Sequence, residues 1–107
     1  MSGRLSMGHL ELLLLSGLAP GPAHGYALIA RIRDQSEGHF DLPEGTVYPA
    51  LQRLEDDGIV ASTHDVVNGR RRRVYQLTPA GAEALEARRT QWTRFSAGIE
   101  GVLGWET

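Results

Sequence analysis

Apolar residues recur along this chain in stripes of helical period, separated by short breaks of glycine and proline. Leu10, Leu13, Leu14 and Leu18 cover one broad face, which predicts a first helix from about Ser6 to Leu18, ended by Pro20-Gly21-Pro22. Leu28, Ile29 and Ile32 form the stripe of a second helix from about Gly25 to Ser36, with Arg31 and Arg33 outside it and Gly38 beyond its end. A third helix lies between Pro43 and Asp57. Val47, Ala50, Leu51 and Leu54 follow the i, i+3, i+4, i+7 pattern, and Gly58 is the stop. Pro49 has no N–H, so the regular helix either begins near Thr46, leaving Pro49 in its first turn, or kinks at Pro49.

The pattern then changes from helical to extended. Ile59 to Val67 is rich in β-branched residues, Asn68-Gly69 suits a type I′ turn, and Arg73 to Leu77 returns as the second strand. The long outgoing arm also leaves room for a looser wing. Thr78 and Pro79 then read as the N-cap and first residue of a last helix reaching about Leu103. Leu85, Trp92, Phe95, Ile99 and Val102 recur along it at heptad-like spacing, while Gly98, Gly101 and Gly104 weaken its end. Three helices, a hairpin and a trailing helix make a winged helix-turn-helix. The expected fold is mainly α with a two-stranded β wing and a C-terminal dimerisation helix. Residues 1–78 form the DNA-binding part and 79–107 the dimerisation helix, within one structural unit.

Composition limits the function. A chain of 107 residues is one domain with a modest core, which docking onto a second copy would extend. It has no cysteine, hence no disulfide and no thiolate chemistry. Arg4 followed by the run Leu10 to Leu18 has a trace of a signal peptide. However, Glu11 interrupts the run, which is too short to span a membrane, so the expected location is cytoplasmic. The net charge of −2, taken alone, argues against a nucleic-acid partner. Its distribution argues the other way: Arg70, Arg71, Arg72 and Arg73 are consecutive, and the acids gather elsewhere, as in Glu55-Asp56-Asp57.

With the apolar face of the third helix used by the fold, its outer side presents Gly45, Pro49, Gln52 and Asp56, flanked by Thr46, Tyr48 and Arg53. Such a face suits a major groove. Thr46 and Tyr48 can donate to phosphates, Gln52 can read adenine, and Arg53 can reach guanine or phosphate. Many solvated helices carry one Gln and one Arg, and a tyrosine beside an apolar stripe often half-buries. The arginine run is the stronger signal. Alternation sends Arg71 and Arg73 to one side and Arg70 and Arg72 to the other, and a strand tip cannot bury all of them. Gripping phosphates or entering a narrow minor groove is one use; shielding a sheet edge is the other. No nucleophile–base pair, phosphate loop or metal motif stands out, so no enzyme and no cofactor is expected. His9, His24, His39 and His64 form no i, i+4 pair. A metal-responsive winged helix, whose site would converge between two copies, remains the alternative.

Several segments strongly resemble the PadR family of transcriptional regulators. They are His24-Gly25-Tyr26, the run Gly45-Thr46-Val47-Tyr48-Pro49-Ala50-Leu51, Arg53-Leu54-Glu55, Gly58-Ile59-Val60, Gly69 to Arg73 with Tyr75, Leu77-Thr78-Pro79-Ala80-Gly81, and Leu85. The short tail is similar to the subgroup with a single C-terminal helix. The resemblance implies a homodimeric repressor on an inverted-repeat operator, released by a small molecule. It implies a DNA-binding set of Tyr26, Thr46, Tyr48, Pro49, Gln52, Arg53, Arg70, Arg71, Arg72, Arg73 and Tyr75. For Tyr26, anchoring the second helix in the core is an equal reading. Leu10, Leu14, Leu85, Trp92, Phe95, Ile99 and Val102 are the expected dimer and effector surface. The position of Trp92 resembles that of a tryptophan in PadR-like multidrug-binding regulators, where paired indoles sandwich a flat aromatic ligand; plain interface packing is the other reading. Trp105 has no assigned role. Two departures from the family pattern are Val74, where relatives often place an aromatic residue, and Leu42-Pro43-Glu44, which lacks a serine-type cap.

Overall fold

A computed structural model describes residues 5–104. The elements run α1 (Met7–Leu18), β1 (Ala23–His24), α2 (Gly25–Gln35), α3 (Glu44–Asp56), β2 (Val60–Val67), β3 (Arg70–Leu77) and α4 (Pro79–Leu103). Trp105 lies outside the described residues.

Side-chain caps start three of the helices. Ser6 Oγ accepts from the His9 N–H at 3.1 Å, His24 Nδ1 from Ala27 at 3.3 Å, and Thr78 Oγ1 from Gly81 at 3.0 Å. The start of α3 differs from the expected start near Thr46. The helix begins at Glu44 and continues as one element past Pro49, which sits in its second turn. No side chain caps it; the Pro43 carbonyl makes the helix's first bonds, accepting from Thr46 N at 3.0 Å and Val47 N at 3.1 Å. Glu44 places a carboxylate at the positive end of the helix dipole.

The three strands form one antiparallel sheet in the order β1-β3-β2. Asn68 (φ 52°) and Gly69 (φ 78°) both adopt the left-handed backbone that a type I′ turn needs. The turn is therefore tight rather than loose, and pairing resumes at once: Arg70 opposes Val67, so β3 begins three residues earlier than expected and carries the whole arginine run. The third strand was not anticipated. β1 pairs Ala23 with Tyr75 and His24 with Val74, adding an edge to the expected two-stranded wing.

The core draws on every helix. Leu10, Leu14, Leu15 and Leu18 of α1 meet Leu28, Ile29 and Ile32 of α2, Val47, Ala50, Leu51 and Leu54 of α3, Val60 and Tyr75 of the sheet, and Leu85 of α4. Polar ties fix the frame around it. Arg31 Nη1 donates to the carbonyls of Gly17 at 2.8 Å and Gly21 at 3.1 Å, fastening α2 to the end of α1. The Glu11–Arg88 ion pair, at 2.7 Å, fastens α1 to α4. Beyond Leu85 no residue of α4 is buried, and its last turns, from Phe95 to Leu103, are largely exposed.

Candidate nucleic-acid interface

The outer side of α3 is open: Thr46, Pro49, Gln52 and Arg53 are exposed, with Val47, Ala50, Leu51 and Leu54 buried beneath them. Gln52 Nε2 donates to Asp56 Oδ1 at 2.9 Å. That bond fixes the amide orientation and leaves Oε1 with one N–H free, a donor–acceptor pair suited to a base edge. Arg53 lies across the start of α1, its Nη2 2.9 Å from the Met7 sulfur.

The first turns of α2 and α3 converge on β3. The Tyr48 ring tip packs against the bare backbone of Gly25, where any Cβ would overlap it. Burial pushes the Tyr48 phenol up from its ordinary pKa, Glu44 and Tyr26 add to the rise, and Arg72 opposes it. Tyr26 is 48% exposed, so it is not the core anchor that was the equal expectation. The Arg72 guanidinium lies 5.3 Å from the centre of its ring, a cation–π stack that holds the arginine against α2.

Along the wing, Arg70 and Arg71 are exposed and Arg72 is half-buried. Among the described residues, none of Arg70, Arg71, Arg72 or Arg73 forms an ion pair with a carboxylate. Arg73 is engaged otherwise, donating to Ser62 Oγ at 2.8 Å. Tyr75 departs from the expected site. It is 5% exposed, because its face of β3 packs on the interior and its side chain fills the core. Burial raises its phenol pKa, Arg73 pulls it down, and Glu55 and Tyr48 raise it further.

The expected dimer and effector surface divides in two. Contrary to that expectation, Leu10 (4% exposed), Leu14 (0%) and Leu85 (3%) are core residues, because α1 and the first turns of α4 pack on the domain's own interior. Trp92, Phe95, Ile99 and Val102 are exposed on the second half of α4. The Trp92 ring meets His9 edge-on, centroids 5.3 Å apart, and tilts toward Phe95 at 5.9 Å. Beside it, between α1 and α4, opens a groove of about 480 Å³ lined by Leu12, Leu13, Phe40 and Trp92 among others. His9 and Phe40 went unpredicted at this place. The one sequence signal for the groove was that Leu12 and Leu13 widen the stripe of α1 beyond what the core needs. Among the described residues no three His, Asp or Glu side chains cluster to hold a metal. Nor is any described helix long and apolar enough to cross a membrane.

Comparisons with known proteins agree with this geometry. The profile of the transcriptional regulator PadR-like family matches residues 14–87. Transcriptional regulator Rv3488 of Mycobacterium tuberculosis is 42% identical over 76 residues, covering 71% of this chain and 68% of that protein. The crystal structure of smu.1704 from Streptococcus mutans superposes with a TM-score of 0.82 at 27% identity, covering 97% of this chain and 94% of that one. A PadR family transcriptional regulator from Eggerthella lenta superposes at 0.73 with 35% identity, covering 91% of this chain and 80% of that one.

Proposed function

Because the chain belongs to the PadR-like family of transcriptional regulators, we propose that it works as a homodimeric repressor on an inverted-repeat operator and lets go when a flat aromatic molecule binds beside Trp92. The observation that carries the DNA half is the pairing of the open Gln52–Arg53 face of α3 with a neighbouring strand whose arginines have no carboxylate partner among the described residues. In this reading α3 enters the major groove, where Gln52 reads a base and Arg53 a base or phosphate, with Thr46 and Pro49 at the groove wall. Arg70 and Arg71 meet phosphates, and Arg72 does so from its stack on Tyr26. Tyr48 acts from beneath, holding the α3 start against α2, and Tyr75 belongs to the core. Residues 79–107 supply the dimer contact through Phe95, Ile99 and Val102. The groove between α1 and α4 supports an effector site, since Trp92, Phe40 and two leucines offer a flat apolar lining.

Binding-site selection from a random duplex pool, followed by titration across salt, tests this. An inverted repeat should emerge. Arg71→Ala should flatten the log–log salt dependence by about 0.9 for each phosphate it no longer neutralises. Gln52→Ala should relax the preference at one position in each half-site. A pool that stays random, together with a salt slope indifferent to Arg71, would sink the reading.

A further inference from the structure

Three side chains join the end of α3 to the wing. Ser62 Oγ donates to Glu55 Oε2 at 2.7 Å. Arg73 Nη1 donates to the same Ser62 oxygen at 2.8 Å, and Arg73 Nη2 lies 3.2 Å from His64 Nε2. The register makes this possible. His64 opposes Arg73 and Ser62 opposes Tyr75, so alternation puts Ser62, His64, Arg73 and the buried Tyr75 on one face of the sheet. Direction along the relay is dictated by chemistry. The serine has a single proton, which goes to the carboxylate, so its lone pairs are left for the guanidinium. Both hydrogen bonds are thereby charge-assisted, the stronger kind.

We propose that Arg73 is a positioning residue, and that the Glu55–Ser62–Arg73 relay sets the pose of the wing against the reading helix. This rests on the DNA-binding reading above. Leverage gives the relay its importance. The wing tip at Val67 is five residues beyond Ser62 on β2, or roughly 17 Å at 3.4 Å per residue. A tilt of about 10° at Ser62 would carry the tip about 3 Å, as far as a hydrogen bond is long. Locking the wing at its root therefore spares binding the cost of first bringing Arg70 and Arg71 into register with Gln52, so loss of the lock weakens binding without removing a phosphate contact. Arg71 and Arg73, which share a strand face, thus hold different jobs: the outer one grips and the inner one aims.

Salt-dependent operator titration separates aiming from gripping. Ser62→Ala and Arg73→Ala should each weaken binding about tenfold, the worth of one hydrogen bond, with the salt slope unchanged. The double variant should be no weaker than the worse single one. Arg71→Ala should instead flatten the slope by about 0.9. A slope flattened by Arg73→Ala, or singles that multiply in the double variant, would overturn the proposal. A DNA-free measurement keeps this apart from the DNA-binding reading. In the full chain without DNA, Ser62→Ala should speed amide exchange at Val66 to Arg71 about tenfold, and unchanged rates would overturn the relay whatever the protein binds. Faster exchange in a protein that selects no operator would uphold the relay as the root of the wing and overturn the DNA-binding reading.

Discussion

Phe95 is the sharpest place to test how two copies of this chain meet. It is 55% exposed on the part of α4 beyond the core, in line with Ile99 and Val102 at 45% and 90%. Fully burying a phenylalanine contributes up to about 3 kcal/mol, so covering its open half in a dimer contributes about 1.5 kcal/mol per chain. A two-fold axis makes every substitution count twice. Phe95→Ala should then cost about 3 kcal/mol of dimer free energy, on the order of a hundredfold in the dissociation constant. Sedimentation equilibrium over a wide protein concentration range measures this directly. The subunit itself should melt as before, because nothing beyond Leu85 in α4 is buried. Leu85→Ala is the contrast: it lies in the core and should lose about 2–5 kcal/mol of subunit stability. A Phe95→Ala dimer constant within about threefold of the parent would refute the assignment of this face.

Three further outcomes are expected. Gly25→Ala should lower stability by about 1–3 kcal/mol through overlap with the Tyr48 ring. An ordinary Gly→Ala change in a helix gains about 1 kcal/mol, so a raised melting temperature would contradict the packing. Above pH 10 stability should fall. Burial raises the Tyr75 phenol above its unfolded value of about 10, so its contribution is full below that pH and is lost as pH climbs through the folded value. Tyr75→Phe should lessen the alkaline fall in the urea midpoint, and an identical pH profile would remove Tyr75 as its source. Flat aromatic ligands that release the operator should also perturb Trp92 emission, since its ring lines the groove; release at saturation with emission unmoved would place the effector elsewhere.

The helices were legible because apolar period reports burial. The stripe of α3 is buried at every position, and Thr78-Pro79 begins α4 where expected. Periodicity tells which face of a helix is apolar but not where along the helix its covering surface ends. Leu85 and Trp92 therefore read as one seam, although Leu85 is buried in the core and Trp92 lies half open against His9 of α1. The start of α3 was hidden because its N-cap residue, Pro43, has no side chain that can accept a hydrogen bond. β1 was hidden because two residues carry no period. Tyr75 fits a DNA contact and a core equally by residue type; only the packing of its face of β3 on the interior decides it. Arg73 is the subtlest case. Alternation correctly placed it with Arg71, but its tie to Ser62, and through Ser62 to Glu55, depends on the approach of α3 to β2.

The charge of −2 becomes informative once the arginines are followed to their partners. Arg31 holds carbonyls of the α1–α2 connection, Arg88 holds Glu11, Arg33 and Arg89 sit beside Asp34 and Glu86, and Arg73 holds Ser62. Among the described residues of the α3 and wing face, one subunit offers DNA Arg53 with Arg70, Arg71 and Arg72, set near the acids Glu44, Asp56 and Asp57 of the α3 region, while Arg94 lies on the last turns of α4. So few cations on that face give weak non-specific attraction there, because that attraction scales with the phosphates neutralised. In the proposed homodimer, affinity then comes from two subunits engaging two half-sites at once, the second held at high effective concentration by the first. In that arrangement the α4 seam is part of the DNA-binding apparatus. Phe95→Ala, which touches no DNA in this arrangement, should bind the operator with a second-power dependence on protein concentration where the parent shows the first power. A variant that occupies a single half-site as tightly as the parent occupies both would mean that one subunit has enough charge of its own.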